Sequence, residues 1–145
     1  MEGFECKLYY RDSGTYEGPH WAELALAGDL RCPISFDEVK IMLRSMAGWT
    51  ATEPGAANLE FNFDTVWDNA DPDFQALLAA FLGRAPLDFM GLTGDAEAVG
   101  SQGPRATCKI LRFDRVEPVG GVVTAALMIK PCISAHPPEW VEIEA

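Results

Sequence analysis

The sequence predicts a mainly β, antiparallel domain with one flanking α-helix at about residues 72–82. Several segments alternate apolar and polar residues with a period of two, which is typical of strands with one face in a core. One segment has helical spacing with capping residues at its start, and the connections are rich in Gly and Pro. With 145 residues, the chain has the length of a single domain, which we expect to span 1–145.

The clearest strand is Leu59–Trp67. Its apolar residues share one face and its polar residues the other: Leu59, Phe61, Phe63 and Trp67 against Glu60, Asn62 and Asp64. Similar alternation predicts further strands at Val122–Lys130, at Arg105–Phe113 with a bulge near Leu111, and at the shorter segments Leu87–Phe89 and Trp21–Leu26. These segments indicate an antiparallel sheet with one wet face.

The helix begins after Asp71, which is a favourable N-cap residue, and Pro72 occupies its first position. Asp73 complements the positive end of the helix dipole. The apolar stripe comprises Phe74, Leu77, Leu78 and Phe81. Gly83 is expected to end the helix, which therefore packs on a sheet.

The segment Ser35–Met46 has two interpretations. Ser35 and Glu38 imitate a capping box, and a helical stripe would follow. Val39, Ile41 and Leu43 also alternate with charged residues, as in a strand. The pattern alone leaves both interpretations open.

The predicted connections follow from Gly, Pro and small residues. A long loop is expected at 45–58, a flexible connection at 94–104 and a turn at Gly120-Gly121. His136-Pro137-Pro138 ends regular structure, so an extended C-terminal tail is predicted from about 137.

The formal net charge of −11 argues against nucleic-acid binding through phosphate neutralisation, which requires clustered Lys and Arg. No apolar run approaches the ~18 residues that a membrane span needs. The N-terminus is acidic, unlike a signal peptide. We therefore expect a protein that folds in the cytoplasm, without membrane contact.

No pattern for chemistry is present. The cysteines Cys6, Cys32, Cys108 and Cys132 form no CxxC pair, so zinc is not expected. Asp68, Asp71 and Asp73 lack EF-hand spacing, and capping explains two of them. Gly100-Ser101-Gln102-Gly103 lacks a Walker lysine, and His20 and His136 have no partners that suggest a triad. We predict no catalytic, cofactor or metal site.

Three tryptophans lie in or beside turn-rich segments: Trp21, Trp49 and Trp140. A tryptophan in such a position either covers the core or anchors an interface. Three of them together raise the chance that a partner buries one of these segments.

The order of these features resembles a phage tail tube protein, the major tail subunit of the siphophage type, from about Tyr10 to Trp140. The motifs that carry the resemblance are Gly14-Thr15-Tyr16 followed by Trp21, Gly48-Trp49, Leu59-Glu60-Phe61 running into Trp67-Asp68, Asp71 and Phe74 with the Ala-rich helix, Gly94-Asp95, Gly100-Ser101-Gln102-Gly103, Phe113 with Glu117-Pro118, Lys130-Pro131 and Pro138-Glu139-Trp140.

The resemblance implies an antiparallel β-sandwich or half-barrel with one flanking helix. It implies hexameric rings of this chain that stack into a hollow tube in a virion tail, assembled in the host cytoplasm. It also implies a tape-measure protein and tail-end proteins as partners, and DNA that passes without specific binding. For the ambiguous segment it implies paired strands at Leu30–Phe36 and Val39–Arg44, with a turn at Asp37-Glu38.

On this interpretation, part of the negative charge faces the lumen. The candidate contacts between subunits are Met46, Trp49, Pro54, Gly100, Gln102 and Trp140. The alternatives are a ring-forming tail terminator or distal tail protein, a tube component of an injection system, and a small β-barrel that binds a ligand.

Overall fold

The computed structural model describes residues 6–11 and 21–144. The strands are β1 (Lys7–Arg11), β2 (Ala22–Glu23), β3 (Ala27–Arg31), β4 (Ile34–Met42), β5 (Thr50–Leu59), β6 (Phe61–Val66), β7 (Leu87–Leu92), β8 (Gln102–Val116), β9 (Thr124–Pro131) and β10 (Glu139–Glu142), and the helix α1 is Pro72–Leu82. All strand pairs are antiparallel. The mainly β, antiparallel fold class with one helix at 72–82 is confirmed.

The main sheet has the order β2-β1-β7-β8-β9-β6-β3. Its central strand β8 is long enough to belong to two layers. The first half of β8 pairs with β7, the second half pairs with β9, and Cys108 pairs with both strands on opposite edges. We call β8 from Lys109 onward, β9, β6 and β3 the four-stranded layer, and β2, β1, β7 and the start of β8 the second layer.

The two layers face each other across the apolar core. The rings of Phe61 on β6 and Phe89 on β7 lie 6.2 Å apart between centroids, and both residues are fully buried. β6 and β9 contribute further side chains to this core. Along both strands every second residue is buried, such as Phe63 and Leu127, and the residues between them are more exposed. The sheet therefore folds over itself as a sandwich.

The helix closes one side of the sandwich, as its sequence predicts. The Asp71 carboxylate accepts from the Asp73 N–H at 3.3 Å, and Phe74 and Leu77 are buried. Phe74 packs at 4.8 Å from the ring of Trp67. Asp73 also accepts from the Tyr10 hydroxyl at 2.7 Å, which fixes the helix to β1.

The segment 34–59 differs from its prediction. β4 and β5 form a two-stranded ribbon, which we call the arm, and a 3₁₀ turn at Arg44–Met46 lies in the connection between them. The predicted loop at 45–58 is therefore wrong, because Thr50–Leu59 is a strand. The predicted pairing of Leu30–Phe36 with Val39–Arg44 is also wrong. The two segments follow one another along the chain instead of pairing, and the strand that pairs with β4 is β5.

Smaller features also bear on the predictions. The bulge near Leu111 is confirmed, since the β8–β9 register shifts between Ile110 and Arg112. The C-terminal tail is extended from Glu139 and also forms β10, which pairs with the start of β8. The Gly14-Thr15-Tyr16 motif and His20 lie outside the described residues.

Candidate assembly surfaces

The four-stranded layer has two open edges. β8 pairs with β9 from Cys108 to Val116, while its pairing with β7 ends at Cys108. β3 pairs with β6 on one side only. Within the part of the chain that the structure describes, no strand occupies the other edge of β3 or of the second half of β8. Such edges present unpaired N–H and C=O groups, which are templates for another strand.

These two edges are complementary in direction. The order β8-β9-β6-β3 alternates throughout, so β8 and β3 run in opposite directions. If β3 of one copy lies beside β8 of the next, the antiparallel alternation continues across the joint. A closed ring of such joints has no edges left, as in a barrel.

The arm continues the β3–β6 ladder out of the sheet. Only Cys32 and Pro33 separate β3 from β4, only Glu60 separates β5 from β6, and the Glu60 N–H donates to the Pro33 carbonyl at 3.2 Å. Every residue of β4 is exposed. With nine residues in β4 at about 3.3 Å each, the arm is about 30 Å long.

Three of the predicted contact residues lie on the arm. Trp49 and Met46 belong to the turn at its tip, and Trp49 is 76% exposed. Pro54 lies in β5 opposite Glu38, at a shift in the pairing register. The prediction that these residues contact another subunit stays a prediction.

The apolar side of the arm changes from one face to the other along its length. Near the base, Ile34 and Phe36 lie on the same face as the buried Leu59, whereas Asp37 and Asn58 share the opposite face and hydrogen-bond at 2.9 Å. Residues of one strand alternate between faces, so the odd-numbered residues of β4 continue the second face towards the tip. There the β4 residues are apolar: Val39, Ile41 and, beyond the strand, Leu43. Glu53, which pairs with Val39, shares this second face, and the exposed Met42 lies on the first face.

The opposite end of the four-stranded layer is also apolar. β6 ends at Val66, β8 ends at Val116, and the turn before β9 contains Val119 and Val122. All four side chains are exposed, and Val119 is fully so. We call these four residues the valine end.

The remaining predicted contacts lie together at the β8–β10 junction. The Trp140 indole N–H donates to the Gln102 side-chain oxygen at 3.0 Å, and the Gly100 N–H donates to the Ile143 carbonyl at 2.9 Å. Arg105 and Glu139 form an ion pair across the same two strands. The structure therefore gives Gly100, Gln102 and Trp140 partners within the chain, although Trp140 is still largely exposed.

The wet face of the four-stranded layer has mixed charge. Its charged side chains, placed by register and by the shallow depression that they line, are Asp29, Asp64 and Asp114 with Arg31, Lys109, Arg112 and Lys130. Glu60, just before β6, accepts from the Asn62 side-chain amide on the same face at 2.9 Å. Arg112 and Asp114 form an exposed ion pair at 3.8 Å. This face is close to neutral, so the negative charge of the chain lies mainly elsewhere.

A groove of about 860 Å³ opens at the arm end of the sandwich. Leu8, Leu24, Leu30, Leu92 and Trp140 are among the residues that line it. Its apolar lining is the feature that a small ligand-binding barrel would require.

The described residues offer little for catalysis. They contain no group of three or more His, Cys, Asp or Glu side chains placed to hold a metal ion. Burial raises the pKa of the Cys32 thiol to about 11 and that of Cys108 well above its ordinary value, so both stay protonated and unreactive near neutral pH. No helix among residues 6–11 and 21–144 is long and apolar enough to span a membrane.

Sequence reasoning missed two of these surfaces. The valine end was seen only as a turn at Gly120-Gly121, although Val119 and Val122 flank the glycines. The open edge of β8 has no sequence signal, because it depends on where β7 stops pairing.

Comparison with solved structures identifies the fold. The tail of an empty gene transfer agent (GTA) particle, computed with helical refinement and C6 symmetry, matches with a TM-score of 0.74 and 14% identity, over 99% of this chain and 98% of that chain. The SPP1 tail tube matches with a TM-score of 0.76 and 11% identity, over 100% of this chain and 81% of that chain. The sheath–tube complex of an extracellular contractile injection system in its extended state matches with a TM-score of 0.64 and 6% identity, over 99% of this chain and 92% of that chain.

No protein-family model and no curated protein sequence matches this chain. At these identities the likeness establishes the fold: the chain has the fold found in phage and GTA tail tubes, over nearly its whole length. The resemblance to tail tube proteins that the sequence motifs indicate is therefore confirmed for the fold.

Proposed function

We propose that this chain is the structural subunit of a phage or phage-like tail tube and is not an enzyme. The observation that carries this is the four-stranded layer, whose two open edges run in opposite directions within a fold shared with tail tubes. Joined edge to edge, six copies would form a closed antiparallel barrel, and the C6 symmetry of the GTA tail supports that number.

The layers determine which face lines the proposed lumen. The second layer and α1 cover the core face of the four-stranded layer. Because the core face is already covered within each copy, we place the wet face towards the lumen. This face is near neutral and contains the Arg112–Asp114 pair. The acidic lumen wall that we expected from the sequence is therefore not supported. Basic side chains on this face that are paired with acidic ones are less available to DNA phosphates, which supports passage of DNA without specific binding.

The arm supports stacking. It extends along the strand direction, which in a barrel runs at a tilt along the tube axis, and so it reaches beyond its own ring. Its tip carries Met46 and Trp49, which we assign to contacts between rings. The proposed partners are copies of this chain, a tape-measure protein inside the tube and tail-end proteins. The proposed location is the virion tail, assembled in the host cytoplasm.

Light scattering and negative-stain microscopy on the purified chain, across a concentration series, test this function. We expect hollow tubes or stacked rings, with a mass that grows in steps of six chains. Closed rings that never stack would indicate a tail terminator or another cap. A monomer at every concentration that binds one small apolar ligand would contradict the proposal and assign the groove to a binding module.

A further inference from the structure

We propose that Cys6 and Cys32 form a disulfide that links the two layers of the sandwich beside the base of the arm. Both thiols are free in the structure. The inference goes beyond the proposed function, and only the occasion on which the bond forms rests on that function. It is drawn from the strand register, from a glycine that separates the two cysteines, and from the groove that both of them line.

The register places Cys6 and Cys32 on the same side of the second layer. Leu8 on β1 is buried in the core and pairs with Gly91 on β7. Cys6 comes two residues before Leu8, so it shares the core-facing side of the chain and lies diagonally across from Gly91. Cys32 reaches the same point from the opposite layer, because a Cβ atom built on Gly91 would lie 3.7 Å from the Cys32 Sγ.

Gly91 leaves open the space that a bond between the two thiols needs. Diagonal neighbours on adjacent antiparallel strands are about 7–8 Å apart, and Gly91 has no side chain to fill the distance between Cys6 and Cys32. Both cysteines line the groove at the arm end of the sandwich. After burial, the neighbouring Cys6 thiol is the next cause of the raised pKa of Cys32, as expected of two sulfur atoms close together.

The remaining distance can be closed without disturbing the sheet. A disulfide requires the two Cβ atoms to lie about 3.5–4.5 Å apart. Cys6 precedes the first residue of β1, so a shift of Cys6 towards Cys32 leaves the pairing of β1 with β7 in place. The geometry therefore allows the bond with a movement of one residue before the strand.

The two thiols differ in exposure, which sets the order of the steps. Cys6 is exposed and Cys32 is half-buried, so a small disulfide of the glutathione class meets Cys6 first. The Cys6 thiolate attacks one sulfur of this reagent, which gives a mixed disulfide and releases one thiol. The Cys32 thiolate then attacks the Cys6 sulfur, which closes the protein disulfide and releases the second thiol. Overall, the two cysteines lose two electrons and two protons, and the reagent is reduced to two thiols.

The second step is the slow one. The pKa of Cys32, raised to about 11, leaves little of it as thiolate near neutral pH, so Cys32 does not react with reagents in solution. It reacts with Cys6 because the mixed disulfide is held beside it. On the proposed function, the chain folds in a reducing cytoplasm, which keeps both thiols free, and the finished tail is released into oxidising surroundings. The bond then forms after assembly and ties β1 to the connection between β3 and β4.

Oxidation of the purified chain with glutathione disulfide tests the inference in the wild type and three variants. Cys6→Ser and Cys32→Ser each remove one partner. Cys132→Ser removes a half-buried cysteine beyond the end of β9 and serves as the matched control. Mildly alkaline buffer speeds the second step, because it increases the thiolate fraction of Cys32. Peptide mapping by mass spectrometry without reductant identifies the linked residues, and calorimetry compares each variant with its own reduced form.

We expect oxidation to give a peptide that joins residues 6 and 32 in the wild type and in Cys132→Ser. Their melting temperatures should rise by about 5–10 °C, since a closed loop of this length restricts the unfolded chain. Cys6→Ser and Cys32→Ser should show neither change.

Three results would overturn the inference: glutathione that stays on Cys6 of the wild type, a bond between Cys6 residues of two chains, or a bond from Cys6 or Cys32 to Cys132. None of these measurements requires assembly. A chain that forms neither rings nor tubes therefore contradicts the tube function alone, and a missing bond in a chain that forms tubes contradicts the disulfide alone.

Discussion

At the scale of single residues, the backbones of β8 and β7 lie close together at Gly103 and Gly91. A Cβ atom built on Gly103 would lie 1.6 Å from the Gly91 carbonyl oxygen. No side-chain movement relieves a clash with backbone. We expect Gly103→Ala to lower the free energy of unfolding by at least about 2 kcal/mol, measured by urea denaturation.

Gly91→Ala is the matched control for this substitution. A Cβ atom on Gly91 would meet Phe61, Leu30 and Cys32 at 3.4–3.7 Å, which is ordinary van der Waals contact. We expect its free energy of unfolding to stay within about 1 kcal/mol of the wild type. Equal effects of the two substitutions would show that β7 and β8 do not approach so closely.

A buried polar cluster fixes the second layer at the same scale. The Asp88 carboxylate on β7 accepts from the Thr107 hydroxyl on β8 and pairs with the Arg11 guanidinium on β1. All three residues are buried. Removing one partner of such a pair leaves a buried charge uncompensated, so we expect substitution of Asp88 or Arg11 to destabilise the contacts between β1, β7 and β8.

At the scale of elements, the arm is separable from the core. Ser35 and Asn58 are cross-strand partners near its base, so residues 36–57 can be replaced by Asn-Gly, which favours a tight hairpin turn. We expect the shortened chain to keep its melting temperature within a few degrees, because every residue removed is exposed or only half-buried. Calorimetry measures this stability.

The same shortened chain should form no tubes, since it lacks the proposed contact between rings. Light scattering at concentrations where the wild type assembles is the measurement. Tubes of the shortened chain would exclude the arm from assembly, and an unfolded chain would show that the arm belongs to the core.

The arm also shows where sequence reasoning succeeds and where it fails. Alternation predicts β6, β8 and β9 because one face of each strand is buried, and burial is what the pattern records. β5 is built from small residues with Pro54 and Gly55, and it has no buried face to impose a pattern before Leu59. Its pairing with β4 supplies the structure instead, so it was predicted as a loop.

The candidate assembly surfaces likewise include some that the sequence predicts and some that it does not. Trp49 and Met46 were predictable, because a large apolar residue in a turn-rich segment is unusual in water. The valine end was not, because valines near a Gly-Gly turn also fit ordinary strand ends. The open edges depend on where partner strands stop, which no local sequence specifies.

At the scale of the whole molecule, charge and apolar contact oppose each other. The net charge of −11 per chain makes copies repel, whereas the arm and the valine end expose apolar side chains. The screening length falls from about 30 Å at 0.01 M ionic strength to about 8 Å at 0.15 M. Repulsion between neighbouring copies therefore weakens over this range, while burial of apolar surface does not.

We therefore expect the protein concentration at which tubes first appear to fall several-fold between 10 and 150 mM ionic strength, by the screening argument above. Light scattering at constant pH measures this threshold, and sucrose at constant salt serves as a control for solvent effects unrelated to screening. Tubes that dissolve as salt rises would contradict the argument, because the joints would then depend on ion pairs rather than on apolar faces. In that case charged residues near the edges, such as Arg31 on β3 and Asp114 on β8, would be the first substitutions to make.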